Sequence, residues 1–339
     1  MFNKKSILIT GGTGSFGKRF VKRILQNFSP NRIIIFSRDE LKQYEMQKIY
    51  PTEKYPCMRY FIGDVRDYDR LLMALRGVDF VIHAAALKHV NVAEYNPFEF
   101  IKTNINGAEN VIQACVERRV EKVVALSTDK ACNPINLYGA TKLCSDKSFV
   151  AGNAYSGSEG TRFSVVRYGN VIGSRGSVIP FFLQKIESGI IPITDDRMTR
   201  FLITLDQGVD LVFKAFNNAK GGEIFIPKIP SIKITDLAST IAPSCKQEVI
   251  GIRPGEKLHE AMIGPDDALN TVDMGEYFVI LPTISYGDER LSYYKTNGKP
   301  VENGFSYTSE NNSEWMTSKE LLSLLEQFEH RGSELVYRD

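Results

Sequence analysis

The sequence lacks any apolar stretch near the roughly 18 to 20 residues that a helix needs to cross a bilayer. Its opening, MFNKKSILIT, passes directly into a β-type run without the apolar core of a secretion signal, so neither membrane insertion nor export is expected. An excess of one charge is also missing. Forty-two Lys and Arg stand against 40 Asp and Glu in 339 residues, a formal charge of +2, with no basic stripe of the kind a nucleic acid or an anionic membrane requires. The five cysteines (Cys57, Cys115, Cys132, Cys144, Cys245) form no CxxC pair, and the four histidines fall in no metal-ligand spacing. A reducing, cytoplasmic setting without a structural metal is therefore expected. Repeats, low-complexity tracts and linker-like segments are absent as well.

What is present is a folded composition, 43% apolar and 24% charged, and a regular rhythm in the first half. Short runs rich in β-branched residues recur at Ser6–Thr10, Arg32–Phe36, Met58–Ile62, Asp79–Ile82, Lys122–Leu126 and Phe163–Val166, separated by segments long enough for crossover helices. The runs are continuously apolar, as burial on both faces of a parallel sheet demands. The expected fold is α/β, a doubly wound parallel sheet of Rossmann type with a smaller α/β substrate subdomain. The expected division is 1–170 for the nucleotide domain and 171–339 mainly for the subdomain, with 200–220 returning to the first. A helical pattern closes the chain near Ser318–Phe328.

The first strand runs into Gly11-Gly12-Thr13-Gly14-Ser15-Phe16-Gly17 and then a helical pattern. Glycines at these spacings permit a tight turn, a close approach of backbone to a pyrophosphate, and close packing of helix on strand. Gly11, Thr13, Gly14, Ser15, Phe16 and Gly17 are thus the expected dinucleotide cradle. About twenty residues on, where a ribose-binding acid would stand, the chain has Ser37 and Arg38. Their hydroxyl and guanidinium suit a 2′-phosphate, so NADP is the expected cofactor, while Asp39 reads as a helix N-cap.

At the end of the fifth strand stands Ser127-Thr128-Asp129-Lys130, followed by Tyr138-Gly139-Ala140-Thr141-Lys142 on a predicted helix. Tyr138 and Lys142, four apart, share a face. A phenol whose ordinary pKa is about 10 needs a neighbouring cation to act as a base at neutral pH, and Lys142 supplies one. Tyr138 is then placed to accept the proton of a substrate hydroxyl as a hydride leaves for a nicotinamide.

Glycine loop, Gly63-Asp64-Val65, His83-Ala84-Ala85-Ala86, the strand-end Thr128 and YxxxK together resemble the extended short-chain dehydrogenase/reductase family. The segments Ser37-Arg38-Asp39-Glu40-Leu41-Lys42, Leu87-Lys88-His89-Val90, Ser127-Thr128-Asp129-Lys130-Ala131 and Arg167-Tyr168-Gly169-Asn170-Val171 are similar to the inverting UDP-N-acetylglucosamine 4,6-dehydratases of pseudaminic acid biosynthesis. Where retaining relatives carry Thr-Asp-Glu, this chain carries Thr-Asp-Lys. The resemblance implies a hydro-lyase acting on UDP-N-acetylglucosamine as a homo-oligomer, with Lys42, Asp64, Val65, Ala84, Ala85 and Ala86 also lining the cofactor. It implies Thr128, Asp129, Lys130, Tyr138 and Lys142 as the catalytic set, with Lys130, its pKa lowered by burial, as the C5 base and Asp129 as the acid for water loss. Lys88, Asn170, Arg175, Arg200, Arg253 and Glu256 are the implied substrate contacts. A 4-epimerase of UDP-N-acetylhexosamines and a non-catalytic nucleotide-sensing protein are the alternatives left open.

Overall fold

The computed structural model describes residues 1–157, 160–174, 177–284, 288–331 and 334–337. Six parallel strands occupy the first half: β1 (Ser6–Thr10), β2 (Arg32–Ser37), β3 (Met58–Ile62), β4 (Phe80–His83), β5 (Lys122–Thr128) and β6 (Arg162–Tyr168). They lie in the order β3-β2-β1-β4-β5-β6, so the chain reverses its direction of winding between β1 and β4. That reversal opens a crevice above the carboxyl ends of the central strands, where ligands of such sheets bind. The central strands β1 and β4 are buried along their whole length, which explains their unbroken apolar sequences.

Several strands run further than their apolar runs suggested. β2 continues to Ser37, β4 to His83, β5 to Thr128 and β6 to Tyr168. The added residues are polar or amphipathic and mostly buried, and they stand at the crevice end of the sheet. An apolarity criterion stops short of them because the strand ends carry chemistry instead of core.

The helices through residue 218 are α1 (Ser15–Asn27), α2 (Glu40–Ile49), α3 (Tyr68–Ala74), α4 (Val90–Tyr95), α5 (Pro97–Phe100), α6 (Gly107–Glu117), α7 (Leu137–Ser156), α8 (Val178–Lys185) and α9 (Leu205–Asn218), with a π-helical turn at Ile101–Asn106; α8 buries Ile179 and Phe182 away from this sheet. α1 buries Gly17, Phe20, Val21 and Ile24, spaced three and four apart as one helical face requires. Its other side meets α9, where Arg23 pairs with Asp206 at 2.9 Å and with Asp210 at 2.6 Å. α9 starts at a capping box made by Thr204 and Gln207. Beneath the sheet Phe2 packs against Phe20, Phe28, Phe80, Phe213 and Phe216, joining α1, β4 and α9 in one aromatic cluster.

The second half contributes to two cores. Ile224–Pro227 adds parallel to β6, and Tyr277–Ile280, Thr271–Asp273 and Lys299–Pro300 follow antiparallel, giving a ten-stranded sheet. Ile172, Ile179, Phe182, Ile191, Met198, Leu202, Leu237, Leu321 and Phe328 form a separate core beside the crevice. The terminal helix spans Ser318–Leu325 and is followed by a strand that starts at Phe328. Among the described residues no helix is long and apolar enough to cross a membrane.

Candidate active site and dinucleotide cradle

The loop between β1 and α1 is built so that only glycine fits at two of its corners. Gly11 has φ of +64°, and a Cβ there would lie 2.9 Å from the Ala85 Cα. A Cβ on Gly17 would lie 2.2 Å from the Gly12 carbonyl oxygen, so α1 can approach the strand this closely only without a side chain. Gly14 caps α1, with no side chain bonding the first-turn amides and no acid in that turn. The helix terminus therefore presents partial positive charge to the crevice, with Thr13, Ser15 and Phe16 around it. The Thr10 hydroxyl accepts from the amides of Ala84 (3.1 Å) and Ala85 (3.2 Å), fixing the Ala84–Ala86 segment against Gly11. These features fit a dinucleotide pyrophosphate.

Further along the crevice, Val65 is buried against Gly107, and Asp64 accepts from the Arg66 amide at 3.0 Å. The Ser37 hydroxyl accepts from Gln43 Nε2 at 3.0 Å. Arg38 lies 3.5 Å from the Asp64 carboxylate. Asp39 caps α2 by accepting from the Lys42 amide, and its other oxygen pairs with Lys42 Nζ at 2.7 Å. The hydroxyl and both cations at this end of the crevice thus already have partners from within the chain.

At the end of β5 the backbone enters a short 3₁₀ turn at Asp129–Ala131, and α7 begins six residues later. Asn136 caps α7 by accepting from the Gly139 amide at 2.8 Å. Gly139 is required for a reason unrelated to the tyrosine beside it: a Cβ there would lie 2.2 Å from the Lys130 carbonyl oxygen. This contact sets Tyr138 opposite Thr128 and Lys130. Burial pushes the Tyr138 phenol up to about 12, while Lys130 and a hydrogen bond with Thr128 pull the other way. Lys142, one turn on, is buried and donates to the Leu126 carbonyl at 2.8 Å. Burial lowers its pKa, and Asp146 on the next turn opposes that.

Asp129 is fully buried. Its Oδ1 accepts from the Thr128 hydroxyl at 2.9 Å and from Lys130 Nζ at 3.0 Å, while Oδ2 has no hydrogen-bond partner among the described residues. Lys130 Nζ also lies 3.3 Å from Oε1 of Glu260, itself buried. Burial alone would lower the ammonium pKa, but Asp129 and Glu260 together raise it above the ordinary lysine value. The fall expected from burial is therefore corrected: the ammonium sits between two carboxylates. Burial and Glu260 raise the Asp129 pKa, whereas Lys130, Arg200 and Lys257 outweigh burial and lower that of Glu260.

Of the expected substrate contacts, Lys88 is placed near Lys130, and burial together with that cation lowers its pKa. Asn170 keeps a buried Oδ1 without a hydrogen-bond partner among the described residues. Arg200 is buried and donates to the carbonyls of Thr199 (2.7 Å), Leu258 (3.0 Å) and Lys257 (3.0 Å), so much of its donor fork braces the 257–258 segment. Arg253 pairs with Glu256. Arg175 lies outside the described residues.

Glu260, Asn104 and Asp146 had no signal in the sequence. Glu260 reaches Lys130 from 130 positions away. Asn104, on the π-helical turn, bonds both the Leu87 backbone and the Thr141 hydroxyl, tying the segment after β4 to α7. Arg167 and Asp146 form a buried ion pair at 3.2 Å behind Lys142, and Asp146 also accepts from the Ser127 hydroxyl at 2.7 Å.

Comparison with known proteins places this geometry. Residues 7–282 match the family model described as polysaccharide biosynthesis protein. The chain is 59% identical over 335 residues to the inverting UDP-N-acetylglucosamine 4,6-dehydratase of Campylobacter jejuni subsp. jejuni serotype O:2, covering 97% of this chain and 99% of that protein. Among solved structures, Pen from Bacillus thuringiensis superposes with a TM-score of 0.86 at 39% identity, covering 96% of this chain and 98% of that one. DesIV, the dTDP-glucose 4,6-dehydratase of Streptomyces venezuelae, superposes with a TM-score of 0.68 at 22% identity, covering 86% and 97%.

One expectation is overturned. DesIV was solved with NAD bound, and so was the structural neighbour MoeE5, whereas Ser37 and Arg38 had suggested NADP. The internal partners of Ser37, Arg38 and Lys42 are the physical reason that reading misled: the Ser37 hydroxyl accepts from Gln43, and the two cations face Asp64 and Asp39.

Proposed function

The chain belongs to the polysaccharide biosynthesis protein family, with the fold of an extended short-chain dehydrogenase/reductase, and we propose that it is a C5-inverting UDP-N-acetylglucosamine 4,6-dehydratase. It would convert UDP-N-acetylglucosamine into UDP-2-acetamido-2,6-dideoxy-β-L-arabino-hex-4-ulose and water, with NAD as the bound dinucleotide. The observation that carries the reading is the pair Asp129–Lys130, an acid and a base 3.0 Å apart facing Tyr138. A 4-epimerase needs no such pair.

When bound, the nicotinamide supplies a hydride acceptor for C4 and a hydride donor for C6. Tyr138 takes the O4 proton, with Lys142 and Lys130 favouring the phenolate. The ketone formed at C4 acidifies the C5 hydrogen. For Lys130 to remove it, the ammonium must first give its proton to Asp129, whose raised affinity makes it the acceptor within reach. One N–H bond breaks and one O–H bond forms, and the couple then holds a neutral amine and a carboxylic acid. The amine takes the C5 proton while the acid protonates the departing C6 hydroxyl, so water leaves and the original ion pair is restored. A proton from solvent on the opposite face of C5 completes the inversion.

Lys88, Asn170, Arg253 and Glu256 are proposed around the sugar diphosphate, with Arg200 shaping that wall through its carbonyl contacts. The five cysteines are free thiols, which supports a cytoplasmic placement. Exposed Val92, Tyr95 and Phe98 on α4 and α5 support a homo-oligomer. An NMR time course with UDP-N-acetylglucosamine tests the proposal: a C6 methyl doublet is expected, while a galacto product or unchanged substrate would overturn it.

A further inference from the structure

Glu260 sits on the loop before Ala261–Ile263, far in sequence from β5, yet only 2% exposed and 3.3 Å from Lys130 Nζ. Its Oε1 faces the ammonium that Asp129 also holds, and its Oε2 has no hydrogen-bond partner among the described residues. The backbone around it is fastened independently: the Glu260 amide donates to Ser309 Oγ at 3.0 Å, and its carbonyl accepts from the Ser309 amide at 2.8 Å. The carboxylate is therefore not needed to close the turn. A buried carboxylate with one oxygen on a lysine and the other not hydrogen-bonded, only 3.9 Å from the Lys257 ammonium, carries a desolvation cost that packing does not explain.

Resting on the dehydratase reading, we propose that Glu260 is a positioning residue for water loss, setting how many protons the Asp129–Lys130 couple holds at the working pH. Its negative charge raises the proton affinity of both members, as their shifts indicate. The couple works with one proton, which passes from lysine to aspartate and returns through the reaction. With two protons Lys130 is no base, and with none Asp129 is no acid. Other charged or titratable groups face this couple and Glu260: Tyr138 from α7, Lys88 from the segment after β4, Arg200 from Thr199–Ile203, and Lys257, whose Nζ is 3.9 Å from Glu260 Oε2. The phenol apart, these are cations, leaving Glu260 as the acidic counterweight to them beyond the couple.

The test is the pH dependence of kcat/KM for UDP-N-acetylglucosamine in Glu260→Gln, which keeps the shape and removes the charge. Both limbs of the profile should move to lower pH, by roughly 1 to 3 units for a charge at this distance. Glu260→Asp should restore the parent position, and Lys257→Met, which removes an opposing cation, should move the limbs to higher pH. A Glu260→Gln profile that loses height but keeps its position, or moves to higher pH, would overturn the proposal. A ¹³C titration of the Lys130 ε-carbon, assigned by its loss in Lys130→Met, reads the same effect without turnover. Its midpoint should fall in Glu260→Gln, and an unchanged midpoint would also overturn the proposal. If the parent yields no dehydrated product while that midpoint falls, the dehydratase reading fails and the role of Glu260 in fixing the protons stands.

Discussion

Replacing Lys130 by Met keeps an unbranched side chain only one atom shorter and removes the charge that two buried carboxylates share. Asp129 Oδ1 loses its contact at 3.0 Å and Glu260 Oε1 its contact at 3.3 Å, with neither acid able to reach water freely. Removing one partner of a buried pair costs about 3–5 kcal/mol when the remaining charge stays ionised. The folded variant can escape much of that cost by retaining a proton on one carboxylate. By about pH 5 both acids of the unfolded chain are largely ionised, so the folded state then holds one proton more than the unfolded state. A folded pKa raised above the unfolded one gives stability that is present at low pH and lost as pH rises. The slope is about −1.4 kcal/mol per pH unit for one proton, or about 4 kcal/mol between pH 5 and pH 8, in line with the pair-breaking cost. Urea denaturation of parent and variant across that range measures it. The gap between them should widen steadily with pH. Parallel stability curves would refute the view that Asp129 and Glu260 depend on the Lys130 ammonium.

Tyr138→Phe removes the proposed acceptor of the O4 proton and keeps the ring, so turnover should collapse by at least about 10²-fold, the scale of general-base catalysis, with UDP-sugar affinity largely kept; activity within a few fold of the parent would remove Tyr138 from the mechanism. Gly17→Ala places a Cβ 2.2 Å from the Gly12 carbonyl oxygen, so α1 must shift away from the loop and dinucleotide affinity should fall well over tenfold by calorimetry; unchanged affinity would show that the cradle tolerates the shift. Arg167→Met strands the buried Asp146 carboxylate and should cost about 3–5 kcal/mol of stability, part of which Asp146→Asn in the same chain should restore; a loss below about 1 kcal/mol would mean the pair is replaced by other contacts.

The parts of the fold that could be read in advance are those whose cause is local. β1, β2 and β4 are continuous apolar runs because both faces of the sheet are covered, and the glycine loop announces itself because the positive φ of Gly11 and the contact of Gly17 with the Gly12 carbonyl are limits set within the same turn. Tyr138 and Lys142 follow from helical spacing. The parts that escaped depend on distant residues. Ile224–Pro227 and Tyr277–Ile280 are short strands whose place beside β6 comes from tertiary pairing. The charge state of Lys130 cannot be inferred from its neighbours in sequence, since burial opposes Asp129 and the distant Glu260 adds to the pull of Asp129. Arg38 was misread for a related reason: a guanidinium beside a nucleotide loop suggests a phosphate only until its acid partner, Asp64, is in view.

The central claim is that Asp129 and Lys130 eliminate water across C5 and C6 and that C5 is reprotonated on the opposite face. Turning over UDP-N-acetylglucosamine in D2O and determining the product by NMR tests it directly. Solvent deuterium is expected at C5 with inverted, L-arabino configuration, and a product that keeps the D-gluco configuration at C5 would rule out reprotonation on the opposite face.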